Sequence, residues 1–144
     1  MRNQLVGCVL SILLVSGCSE ATAPDADRQD GVLTAPQELT LRMGEEKAVG
    51  GSVLRLAFVR VLEDSRCPVD AMCVWAGNAA VELGIRAGMG PTYPLKLNTN
   101  LEPRSTSWNG LRVTLVEVAP APRAAEPTKP GAYSVRVRVE NEGK

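Results

Sequence analysis

The sequence predicts an all-β protein, a small antiparallel β-sandwich or partly open barrel of about six to eight strands. Three observations carry this. Apolar and polar residues alternate with period two over several runs after Glu38, the pattern of a sheet with one buried and one wet face. Gly, Pro and Asn punctuate those runs at short spacing, as hairpins require. No segment shows a helical period.

The elements follow in order. Leu39, Leu41 and Met43 alternate with Thr40 and Arg42. Gly50-Gly51 precedes Val53–Leu62, a run apolar on both faces for most of its length. A second such run is Leu111–Val118, and both are expected at sheet centres. Val81, Leu83, Ile85 and Ala87 alternate with Glu82, Gly84 and Arg86. After the turn sequence "GMGP" at Gly88–Pro91, Tyr93, Leu95 and Leu97 alternate with Pro94, Lys96 and Asn98. Asn109-Gly110 suits a two-residue hairpin, whose type I′ turn needs positive φ at both central positions. Tyr133, Val135, Val137 and Val139 alternate with Ser134, Arg136, Arg138 and Glu140. The connection Ala119–Gly131 carries four prolines. Proline donates nothing to a ladder, so this reads as a stiff loop between the last two strands, the alternative being a binding loop projecting from a rigid scaffold.

The 144 residues suffice for one domain. With five aromatic residues, the core must be mostly aliphatic. Sixteen basic residues balance sixteen acidic ones, with no basic block, which argues against a nucleic-acid partner.

The N-terminus reads as an address. Arg2 is followed by an apolar run, Leu5–Val15, of eleven residues. That is short of the ~20 needed to span a bilayer and fits an export signal over residues 1–17. Val15-Ser16-Gly17-Cys18 resembles the bacterial lipobox. The resemblance implies that Cys18 becomes the N-terminus, carrying a thioether-linked diacylglycerol and an N-acyl chain. Three chains hold a protein on a membrane essentially for good. Ser19, in place of an aspartate, suggests the outer membrane in a Gram-negative host. The stretch from Cys18 to Gln37 is small, polar and acidic. It cannot bury enough apolar surface to offset its ordering entropy. It is expected to be a tether of about 25 Å root-mean-square span, leaving 38–144 as the β-domain. Asp25–Gly31 departs too far from the spacing of a calcium loop to hold that ion.

The densest cluster of chemistry is Glu63–Ala79, "EDSRCPVDAMCVWAGNA". Cys67 and Cys73 bracket five residues, and the chain has no histidine. Structural zinc takes four N or S donors, so no metal is expected, and no cofactor. In an oxidising compartment the pair is expected to form a disulfide that staples the loop. Asp64 and Asp70 are candidates to cap loop amides or to pair with Arg66. Pro68 presets φ for a turn. Trp75 is expected in the core, covering the disulfide. Ala76-Gly77 suits the close passage of another backbone.

"DSRCP", four residues and "CVWAGNA" together resemble a signature of small bacterial exported proteins, many of them lipoproteins. The matching residues are Asp64–Pro68 and Cys73–Ala79, with a looser likeness through "YPLKL" to "AYSVRVRVEN". The resemblance implies a β-domain and a lipid anchor and names no substrate. Without histidine, and with no G-x-S-x-G or S-x-x-K pattern, catalysis is not expected. The expectation is a membrane-anchored, non-catalytic domain that binds a protein or glycan, or has a structural role, in the bacterial envelope. The alternative is an inhibitor of secreted proteases or lytic enzymes that presents the disulfide loop. The two differ in whether Val69–Met72 protrude and whether Trp75 packs down.

Overall fold

The computed structural model describes residues 33–143. The expected export signal, Cys18 and the Asp25–Gly31 stretch lie outside the described residues. Among the described residues, eight strands form two four-stranded antiparallel sheets. They are β1 (Gln37–Arg42), β2 (Glu46–Ala48), β3 (Leu54–Asp64), β4 (Ala79–Ala87), β5 (Tyr93–Asn98), β6 (Ser105–Trp108), β7 (Leu111–Ala119) and β8 (Ser134–Asn141). One sheet has the order β1-β8-β7-β6 and the other β2-β3-β4-β5. The result is a sandwich rather than a closed barrel.

Most inward residues are those that the alternation assigns, but in β5, an edge strand, Tyr93 is exposed and Asn98 is buried beside Leu97. Leu41, Leu56, Phe58, Val81, Leu83, Ile85, Leu97, Val113, Val137 and Val139 are fully buried. Both doubly apolar runs occupy inner positions in their sheets, as β3 and β7. β3 nevertheless exposes Val59 and Leu62. Register shifts between Phe58 and Arg60 and between Val61 and Glu63 insert extra residues against β4. Each bulge turns the next side chain to the other face, so a run that reads as two-faced burial is one buried face interrupted twice. Asn109 (φ 48°) and Gly110 (φ 78°) form the β6–β7 hairpin turn.

Two expectations about boundaries change. β2 and β6, at three and four residues, are too short for alternation to reveal. The domain also begins before residue 38. Leu33 is buried in the core, its N–H donates to Asn141 Oδ1 at 2.9 Å, and Asn141 Nδ2 donates back to its carbonyl. One apolar side chain with a reciprocal amide clamp is enough to draw the end of a polar stretch onto the sandwich.

The sandwich therefore has two distinct ends. Leu33, the Gly50-Gly51 turn and Asn141 share one, through the Leu33–Asn141 clamp and the Gly50 N–H bond to Gln37 Oε1 at 2.5 Å. The loop Ser65–Asn78, the end of β7 and the start of β8 share the other. The seven residue steps of β8 between them span about 23 Å.

Candidate functional site: a disulfide loop held out from one end

Beyond Asp64 and Ala79 the two strands leave the sheet, but pairing continues for two rungs. Ser65 N–H donates to Asn78 O at 2.7 Å, and Cys67 N–H to Ala76 O at 3.1 Å. Gly77 permits this approach. Its φ is +68°, and a Cβ there would collide with the Ser65 carbonyl. The sequence-based reading of Ala76-Gly77 as a close backbone passage holds.

The stem is fixed on its β4 side by amides. Asn78 and Asn98 are both buried. Asn78 Nδ2 donates to Asn98 Oδ1 at 3.0 Å, and its Oδ1 accepts from Asn100 N–H at 3.1 Å. Asn100 Nδ2 donates to Gly77 O at 2.6 Å, and Thr99 Oγ1 accepts from Ala79 N–H at 2.8 Å. Buried amides need such partners, and with them the β5–β6 connection grips the base of the loop.

On the β3 side the grip is ionic. Arg66 Nε and Nη2 donate to Asp64 Oδ1 and Oδ2 at 2.8 and 2.7 Å, a two-pronged pair that only arginine can make. The same guanidinium donates to Val118 O and, at 2.9 Å, to Pro120 O. Tyr133 Oη donates to Asp64 Oδ2 at 3.0 Å. The Arg66 and Asp64 side chains are only 13% and 9% exposed. Burial alone would raise the Asp64 carboxyl. The hydrogen bonds from Arg66 and Tyr133, with the guanidinium charge, outweigh it and hold the group below the usual aspartate value. Burial and the Asp64 contact push the Tyr133 hydroxyl up. Both partnerships the sequence offered to Asp64 are formed: it pairs with the Arg66 guanidinium and also accepts from the Arg66 main-chain N–H at 3.3 Å.

The loop itself is closed by the Cys67–Cys73 disulfide, with Cα atoms 5.9 Å apart. A turn follows Pro68, whose carbonyl accepts from Ala71 N–H at 3.1 Å. The proline-rich connection supports the loop from behind. Val69 N–H donates to Pro122 O at 3.0 Å, and Asp70 Oδ1 accepts from Ala124 N–H at 2.9 Å. Asp70 thus caps an amide 54 residues away rather than pairing with Arg66. Ala119–Gly131 is a brace for the disulfide loop, a role that neither a plain hairpin loop nor a separate binding loop describes.

The outer edge of the loop is apolar and solvated. Val69 and Met72 protrude, Met72 fully, and Val74 is 91% exposed. Trp75 is 69% exposed, which corrects the expectation that it lies in the core. The disulfide and Gly77 hold residues 74–76 outside the sandwich, where no core surface can cover an indole. Trp108 takes the interior role instead. It is half-buried against the core, with its ring 6.0 Å from that of Tyr93.

Sequence reasoning brought together Asp64, Arg66, Pro68, Cys67 and Cys73, and the structure keeps them together. It missed Tyr133, Asn78, Asn98 and the brace. Nothing in a sequence read by period signals a contact such as Asp64–Tyr133, made across 69 residues. Compared with family models, with curated proteins and with solved structures, the chain matches none.

Proposed function

We propose that the chain is an exported, lipid-anchored, non-catalytic binding module of the bacterial envelope, and that its contact surface is the Cys67–Cys73 loop. One observation carries this reading: Met72, Val74 and Trp75 stand in solvent on a loop that is otherwise fixed at every approach. Monomeric surfaces carry scattered exposed apolar residues without consequence. Here they are adjacent, and the scaffold spends an arginine fork, a disulfide and a proline-rich brace on holding them out. A loop ordered in advance loses less entropy on binding. The envelope address rests on the apolar Leu5–Val15 run and the lipobox-like Val15–Cys18, with anchoring through Cys18, and on the resemblance of the loop sequence to exported lipoproteins. The partner is a protein or glycan of the envelope or its surroundings.

The test is site-specific photocrosslinking in the native host. A photoreactive residue at 72 or 75 is expected to give a discrete adduct, and one at 53 or 89, exposed at the opposite end of the sandwich, none. Equal labelling from all four positions, or none from 72 and 75, would refute the reading. Cys18→Ala is expected to leave the signal uncleaved and to abolish lipidation. A variant processed and fractionating like the parent would remove the anchor from the account.

A further inference from the structure

We propose that the loop seats in the substrate cleft of a secreted serine endopeptidase whose specificity pocket takes a large apolar side chain, and that Met72 is the side chain it reads. This rests on the reading of the loop as the contact surface and names its partner.

The main chain is the first argument. The turn closes at Ala71 and the chain bends at Val74-Trp75. Among the described residues, the N–H groups of Met72, Cys73, Val74 and Trp75 make no internal main-chain hydrogen bond. Peptide-binding clefts hold a segment by its main-chain groups and take alternate side chains in pockets. Unpaired main chain beside a fully exposed Met72 offers both.

Charge is the second. From Ala71 to Ala76 there is no ionisable side chain apart from the bonded Cys73. Asp70 is turned back onto Ala124 and Arg66 onto Asp64. The segment suits an apolar pocket and gives a basic-specific pocket nothing to pair with.

Covalent topology is the third. The Met72–Cys73 peptide bond lies inside the ring that the disulfide closes. Attack of the enzyme's serine Oγ on the Met72 carbonyl carbon expels the Cys73 amine, which takes its proton from the enzyme's base. That amine stays joined to Cys67 through sulfur, and Val69 and Asp70 remain fixed to the brace. Held beside the acyl-enzyme at high effective concentration, it re-forms the peptide bond in competition with water. The segment then behaves as an inhibitor rather than as a substrate.

The direction of attachment is the fourth. The chain enters the domain at Leu33, at the end opposite the loop. The fifteen residues 18–32 that precede it are mostly small, polar or acidic and do not complement an apolar tip. Under the proposed anchoring through Cys18, the loop is at the end remote from the attachment point.

The experiment uses the full mature chain in detergent. It is titrated against a chymotrypsin-type, a subtilisin-type and a trypsin-type peptidase, each assayed on a fluorogenic peptide. Inhibition of at least one of the two apolar-pocket enzymes is expected, and none of the trypsin-type. Met72→Asp is expected to weaken that inhibition by about 30-fold or more, as for a central contact residue, and Met72→Arg to transfer it to the trypsin-type enzyme. Because Met72 is fully exposed, both variants are expected to melt like the parent. No inhibition of either apolar-pocket enzyme, rapid loop cleavage without inhibition, or undiminished inhibition by Met72→Asp overturns the proposal. Crosslinks from position 72 to a non-peptidase would retain the loop as a contact surface while rejecting this partner. No crosslink from 72 or 75 would reject both.

Discussion

Arg66→Ala tests whether the loop is supported as described. The guanidinium joins three parts of the chain: Asp64 at the end of β3, Val118 in β7 and Pro120 in the brace. Its removal strands a carboxylate whose side chain is 9% exposed, along with two carbonyls. Breaking a buried pair from one side costs about 3–5 kcal/mol. Two donors to Asp64 survive, Tyr133 Oη at 3.0 Å and the main-chain N–H of residue 66 at 3.3 Å, and water can reach the exposed Pro120 carbonyl. The low end is therefore expected, about 3 kcal/mol, out of a total commonly about 5–15 kcal/mol. For a domain of this size that lowers Tm by on the order of 15 °C. Arg60→Ala is the control. Arg60 pairs with Glu82 at 2.9 Å but is 61% exposed, and such pairs contribute at most about 1 kcal/mol. Arg66→Lys is expected to recover little, because an ammonium cannot make the two-pronged contact. Urea melts of the three variants supply the numbers. An Arg66→Ala loss no larger than that of Arg60→Ala would refute the claim that this residue fastens the loop.

Trp75→Ala is expected to change stability by within about 0.5 kcal/mol, whereas Phe58→Ala, at a fully buried site, is expected to cost about 3–5 kcal/mol; urea melts that put the two on a par would return Trp75 to the core. Gly77→Ala is expected to cost more than about 2 kcal/mol, from the positive φ and the collision with Ser65 O, and Gly131→Ala, in open space, within about 0.5 kcal/mol; equal effects in thermal melts would contradict the close approach. The lowered Asp64 carboxyl contributes stability that is present above its unfolded value of about 3.9 and is lost as pH falls through its folded value. Tyr133→Phe removes one cause of that lowering, so the stability gap between parent and variant is expected to narrow between pH 5 and pH 2; a constant gap would sink the assignment.

Strand identity was legible in the sequence where one face is wet. Val135, Val137 and Val139 between Arg136, Arg138 and Glu140 could occupy only a half-exposed strand, and β8 follows. Asn109-Gly110 specified its turn because few other residues accept positive φ twice in succession. The reading failed where a local signal was cancelled by geometry. Two bulges in β3 break the period that assigns Val59 and Leu62 to a face. Leu33 sits in a polar context, and only its clamp with Asn141, 108 residues away, reveals it. Trp75 misled because its residue type favours burial, whereas a disulfide and a positive-φ glycine set it outside the sandwich. The pieces of the site were legible, since Asp64, Arg66, Cys67, Pro68 and Cys73 lie close together in the chain. Its support was not, because Tyr133, Pro122 and Ala124 reach it only through the folded topology.

The central claim is that the loop is an ordered platform for apolar contact. Backbone 15N relaxation over Val69–Ala76 tests it most directly. The account predicts order parameters close to those of β3 and β4, about 0.85, with a drop confined to this loop and the brace in Arg66→Ala. Order parameters below about 0.6 in the parent, with the flanking strands rigid, would contradict it.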